Sequence, residues 1–217
     1  MGADVNVRTF EDTMRLCEQN SLLKKKVEAS IASTRIIRNS EKLDVPDKNR
    51  YEDEAKVLVS PFSTIEAAFD YTGVNHIAVL KYDGDDPTLM PEEDWYEIDV
   101  ISCIPPDTSS RAGNRDYYVN PKDLKTYSGV RFTVIHEKRL RRILDAALAN
   151  GCDTIILCAF GCGRAKNPPR EVADAASNVI RDYLHAFKYI EFAICDEHHP
   201  GVLQAFEDAF KTAGLPL

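Results

Sequence analysis

The chain has 217 residues, a size one hydrophobic core can serve, and its 44% hydrophobic and 29% charged residues make it too apolar for a disordered segment. Lys and Arg total 27 against 35 Asp and Glu, and the net charge of -8 argues against broad electrostatic binding to nucleic acid or an anionic membrane. No run of about 18 apolar residues is present and the opening MGADVNVRTFEDT is not signal-like, so a cytoplasmic or nuclear protein is expected.

TFED at 9–12 reads as a capping box, and Met14, Cys17, Leu23, Val27 and Ile31 continue a helical stripe, predicting an N-terminal helix. RNSEKLDVPDKNRYEDEA is polar and aperiodic and reads as a linker. AKVLVS is strand-like, and Ser63 with Glu66 forms a second capping box opening the helix STIEAAFDY. HIAVLKY and WYEIDVISC are two further strands joined by the turn-rich DGDDPTLMPEED, and the irregular PPDTSSRAGNRDYYVNPKDLKTYSG suits a binding loop or cover.

Leu140, Ile143, Leu144, Ala147 and Leu148 mark a helix over about 135–150, closed by Gly151. DTIILCAF is a buried strand. Val172, Ala175, Ala176, Val179, Ile180, Tyr183 and Leu184 mark the face of the next helix, YIEFAICD is another strand, and Val202, Phe206 and Phe210 mark a last helix ending near Gly214. This alternation predicts an α/β fold with a mostly parallel sheet covered by helices on both faces, in which ligands sit beyond the carboxyl ends of the strands. Residues 1–53 are expected to form a helical extension and linker, and 54–217 the α/β domain.

CAFGCGRAKNPPREVA lies where a buried strand becomes a helix. Gly161 and Gly163 allow close backbone approach to a ligand, and Asn167 with Pro168 and Pro169 suits a helix start whose N–H groups could cradle a diphosphate. The tripeptide alone is weak. It has neither the Gly-Lys-Ser/Thr of a P-loop nor the third glycine of the dinucleotide fingerprint, and a structural tight turn explains it equally well.

A longer pattern adds specificity. HEKRLRRILDAALANGCDTIILCAFGCGRAKNPPREVA followed by YIEFAICD resembles the C-terminal half of the microbial-type poly(ADP-ribose) glycohydrolases. LMPEEDWYEIDVISCIPPD and KVLVSPFSTIEAAFDY are similar to earlier strands, loop and helix of that family, so the likeness covers about residues 54–210. It implies a macro-domain-like three-layer sandwich, with 54–217 as the ADP-ribose-binding domain. It also implies a ligand loop of Phe160, Gly161, Cys162, Gly163, Arg164, Ala165, Lys166 and Asn167, assisted by Pro105 and Asp196.

Two departures set the expected chemistry. The family's Gly-Gly-Gly stretch and Gln-Glu-Glu, whose glutamate is the acid, are missing, since KVLVS passes through PFS directly into the helix. Glu66 lies roughly where those glutamates would fall, though it is also the capping-box residue; Asp83, Asp85, Asp86, Glu92, Glu93 and Asp107 are further candidates, each also readable as a charged turn or loop residue. Ala165 replaces the family's ribose-orienting aromatic residue, while Arg164 and Lys166 could strengthen phosphate binding.

Cys162 at a helix start could be a low-pKa thiol, but no His stands nearby in sequence. The six scattered cysteines form no CxxC pair, and the run Asp196, Glu197, His198, His199 fits a solvated loop better than a metal site. No metal or cofactor is expected.

The expectation is recognition of ADP-ribose or an ADP-ribosylated protein, with impaired or lost catalysis. The rivals are an ADP-ribosyl hydrolase using a non-standard acid such as Glu66, and an interaction module with a vestigial pocket.

Overall fold

The computed structural model describes residues 3–37, 41–60, 73–81, 88–109, 129–196 and 199–215. In chain order the described elements begin with α1 (Ala3–Gln19), α2 (Ser21–Ser33), β1 (Arg35–Ile36), β2 (Lys56–Ser60), β3 (Gly73–Val79) and β4 (Tyr96–Ser102). They continue with α3 (Gly129–Ala149), β5 (Thr154–Leu157), α4 (Pro169–Ile180), β6 (Tyr189–Ala193) and α5 (Val202–Thr212). Contacts group the chain into two compact units, residues 1–41 with 69–102 and residues 42–68 with 103–217.

In the first unit the single N-terminal helix read from the sequence is two helices. Asn20 adopts an extended backbone and its side chain accepts from the N–H groups of Leu22 and Leu23 at 3.0 and 3.1 Å, capping α2 and ending α1. Because α1 starts at Ala3, the capping-box reading of residues 9–12 also fails: Asp12 lies inside the helix and pairs with Lys81 at 2.7 Å and Arg15 at 2.5 Å. Fully buried Leu23 packs with Cys17 and Leu80, flanked by Leu16, Val27, Leu89 and Trp95. β3 and β4 form the expected hairpin, antiparallel from Gly73 opposite Ser102 to Val79 opposite Tyr96, with the short β1 on the other edge of β3.

The second unit holds a parallel sheet in the order β2-β6-β5, with Lys56 and Thr154 both opposite Tyr189. Ile155, Leu157, Ile190 and Phe192 point to one buried face, while Thr154 and Ile156 alternate outward. α4 packs against both α3 and α5, and its buried Ala173, Ala175 and Ala176 permit close helix approach. The sequence stripes are core, with Leu144, Val179, Ile180, Phe206 and Phe210 essentially inaccessible; α4 ends at Ile180, earlier than its stripe predicted, and buried Tyr183 follows on a 3-10 turn. Phe192, Phe206 and Phe210 form an aromatic cluster with ring centroids 5.0 to 6.1 Å apart. Truncating one such ring costs about 3–5 kcal/mol.

Two boundaries differ from the sequence reading. α3 begins at Gly129, adding Phe132 to its buried face, on which His136 also lies. The polar stretch before β2 is irregular over 41–55 but anchored, with Tyr51 N–H donating to His185 O at 3.0 Å and Arg50 to Cys152 O at 2.9 Å. The helix expected at 63–71 and most of the expected cover, 110–128, lie outside the described residues.

Candidate phosphate-binding loop

Between β5 and α4 the chain makes two tight turns and one wider loop closure. Cys162 N–H donates to Ala159 O at 2.9 Å, Lys166 N–H to Gly163 O at 3.0 Å and Asn167 N–H to Gly161 O at 3.0 Å. Gly161 is left-handed, with φ of +84°, and a Cβ there would lie 2.0 Å from Asn167 Nδ2 and 2.8 Å from Pro105 Cβ. Only glycine fits. Lys166 is also left-handed, at φ 51°, where the chain reverses toward α4.

Beneath the loop is a buried polar network. The Asn167 side chain, 2% exposed, places Nδ2 3.1 Å from Nε2 of buried His136. That imidazole is wedged against Phe132 and edge-on to Phe160, with centroids 4.7 and 5.7 Å away. Burial, and secondarily the charge of Arg139, lowers its pKa to about 4, so it is neutral near pH 7 and its Nε2 accepts from Asn167. Thr108 clasps the loop as well: its N–H donates to Ala165 O at 2.9 Å and its hydroxyl donates to Lys166 O at 2.6 Å. Arg139 donates to Ile104 O at 2.7 Å, tying down the irregular segment after β4 that carries Pro105.

The rim differs. The backbone N–H groups of Gly163, Arg164 and Ala165 meet no acceptor among the described residues. The Arg164 and Lys166 side chains are exposed. Gly163 is outside the left-handed region, and among the described residues a Cβ there would meet only the His199 ring, with Nε2 at 3.5 Å and ordinary contact. The fold does not require glycine here.

Several expected site residues have structural duties. Asn167 is buried and bonded within the protein, below the surface a ligand would touch. The start of α4 offers fewer donors than the sequence reading supposed, because Pro168 at the cap and Pro169 at the first helical position have no N–H. Cys162 is buried and its thiol is pushed up to about 12 by burial and then by nearby Cys158, which removes the low-pKa reading. Asp196 accepts from the N–H groups of Gly201, Val202 and Leu203 at 3.1, 2.9 and 3.1 Å, capping α5; these bonds hold its carboxyl below the usual range.

Of the candidate acids, Asp107 sits beside Thr108 and accepts from Ser109 N–H at 2.8 Å, whereas Glu92 and Glu93 are exposed on a 3-10 turn of the other unit. Glu66, Asp83, Asp85 and Asp86 lie outside the described residues, as do Glu197 and His198. Among the described residues no group of three or more His, Cys, Asp or Glu could hold a metal, and no helix is long and apolar enough to cross a membrane. A separate cavity of about 330 Å³ is lined by Leu58, Val59, Gln204, Glu207, Asp208 and Lys211, none of them in the loop.

Sequence reasoning missed Thr108, His136 and Arg139. His136 carried a signal, since a histidine four residues from both Phe132 and Leu140 occupies the apolar face of α3. Thr108 had none, because its partner loop is 57 residues away.

Protein-family models give no match, and neither do curated proteins. Solved structures do. Poly(ADP-ribose) glycohydrolase from Thermomonospora curvata matches with a TM-score of 0.62 at 16% identity, over 87% of this chain and 88% of that one. A mutant of the Deinococcus radiodurans glycohydrolase in complex with ADP-ribose matches with a TM-score of 0.61 at 17% identity, over 86% and 97%. Another Deinococcus complex with ADP-ribose gives 0.52 at 22%, over 70% of this chain, which spans 55% of that structure. From the parallel sheet, its helices and these matches, the chain has the macro-domain-like α/β fold of the microbial poly(ADP-ribose) glycohydrolases.

Proposed function

We propose that the chain recognises ADP-ribose, free or attached to protein, through the loop at 160–167, and that its glycohydrolase chemistry is impaired or lost. The observation that carries this reading is the run of three consecutive N–H groups at Gly163, Arg164 and Ala165 without acceptors among the described residues. Successive amides at a turn form an anion-binding concavity, and Arg164 and Lys166 supply local positive charge in a chain of net charge -8. A glycine that the fold does not need leaves room for a diphosphate to approach the backbone at 163.

Cleaving a glycosidic bond requires a carboxyl placed to protonate the leaving group or steer water. The sequence contains neither Gly-Gly-Gly nor Gln-Glu-Glu, and Asp196 is engaged by the start of α5. A second reading, residual hydrolysis, is favoured by Asp107, whose neighbour Thr108 holds the loop.

Calorimetric titration with ADP-ribose tests binding in the native chain and in Gly163→Leu, and incubation with mono- and poly-ADP-ribosylated protein tests release. Binding that Leu abolishes, without release, is the expected result. Release that disappears in Asp107→Asn would establish the second reading, and release lost in Glu66→Gln would move the acid to the position implied by the family resemblance. Absence of binding would leave an interaction module with a vestigial pocket.

A further inference from the structure

His199 stands on the turn between β6 and α5, exposed, with Nε2 3.5 Å from the point a Gly163 Cβ would occupy. The imidazole nitrogen is therefore within about 5 Å of the Gly163 Cα, the right separation for one oxygen atom to bridge ring and backbone. Its position is fixed from below. Asp196 binds three successive N–H groups at 201–203, Gly201 takes a left-handed φ of 88°, and Val202 N–H reaches His199 O at 3.4 Å. These contacts engage backbone and leave the imidazole at the rim. The described side chains around that rim, Arg164 and Lys166, are cationic, and the Asp196 carboxylate at the start of the turn is taken up by the α5 amides.

We propose that His199 is a ligand-contacting residue of this loop, donating its Nε2–H to an oxygen of the diphosphate seated on the Gly163–Ala165 amides. The assignment rests on the ADP-ribose reading above and adds to it a residue from a separate element, 36 positions later in the chain. Loop amides would hold the phosphates from one side and the imidazole from the other, so that a nucleoside diphosphate is gripped and not merely laid on a turn.

The test is titration of the native chain, His199→Ala and His199→Gln with ADP-ribose and with ADP. A hydrogen bond to an anionic oxygen predicts that Ala weakens both ligands by roughly three- to tenfold, and that Gln, which retains an N–H donor, recovers most of the loss. Unchanged affinity in His199→Ala, with the native chain binding, would overturn the assignment while leaving the ADP-ribose reading standing. A loss confined to ADP-ribose would also overturn it, moving the contact to the distal ribose, as would Gln behaving like Ala. If the native chain binds neither ligand, both the assignment and the reading beneath it fail.

Discussion

The underside and the rim of one eight-residue loop obey different rules. Beneath, Gly161, Asn167, His136, Thr108 and Pro105 are interlocked so closely that a single added carbon at Gly161 would meet an atom at 2.0 Å. At the rim, the exposed side chains of Arg164 and Lys166 make no hydrogen bond among the described residues, and a carbon added at Gly163 meets the His199 ring at an ordinary contact distance. Two glycines separated by one residue therefore have opposite origins. One is dictated by packing; the other is where we propose that a ligand approaches the backbone.

The largest expected effect breaks the underside. Gly161→Ala combines a left-handed backbone with a clash against Asn167 and Pro105, and should cost about 4 kcal/mol, read as a lowered denaturation midpoint with unchanged m-value. A variant as stable as the parent would show that the loop is looser than its hydrogen bonds indicate.

Acid should attack the same network. His136 is neutral when folded, with its pKa lowered to about 4, while in the unfolded chain it titrates near 6.5. The unfolded state therefore binds more protons in that window, so the His136 contribution is fully present above pH 6.5 and is lost as pH falls toward 4. A shift of that size corresponds to about 3 kcal/mol. Stability profiles of the parent and His136→Gln should diverge across that window, with the parent having the steeper acid slope; parallel profiles would remove His136 as the cause.

Asn167→Ala comes next. It leaves His136 Nε2 without its donor in a buried site and should cost about 2 kcal/mol in chemical denaturation. A cost near zero would mean that water replaces the amide and that the underside is wetter than its burial suggests.

These effects also mark what the sequence could reveal. The C-terminal helices were legible because Leu144, Val179 and Phe206 repeat at helical spacing and all point into one core. The break at Asn20 was not, because apolar residues continue on both sides of it and the decisive contact is a side-chain cap. In the loop, Gly161 and Gly163 look alike in sequence; their difference comes from Asn167 folding back beneath one of them and from Pro105, 56 positions earlier. Asn167 itself reads as a helix-start residue open to ligand, and only the buried His136 opposite it shows why its side chain turns inward. Long-range partners of this kind carry no local periodicity.

The smallest expected change in stability is the sharpest test of the comparison. Gly163→Ala places its methyl at 3.5 Å from the His199 ring on a backbone that any residue can adopt, and it also removes conformational freedom from the unfolded chain. Its stability should therefore match the parent or exceed it by about 0.5 kcal/mol. Gly163→Leu should stay equally folded, since the longer side chain can extend into solvent, yet its bulk would occupy the space between the backbone amides and the imidazole. Circular dichroism melts of parent, Ala and Leu that coincide, together with ADP-ribose titrations in which Leu alone fails, would separate function from folding at one position. A destabilised Gly163→Ala would instead make the rim as constrained as the underside, and glycine at 163 would then need no ligand to explain it.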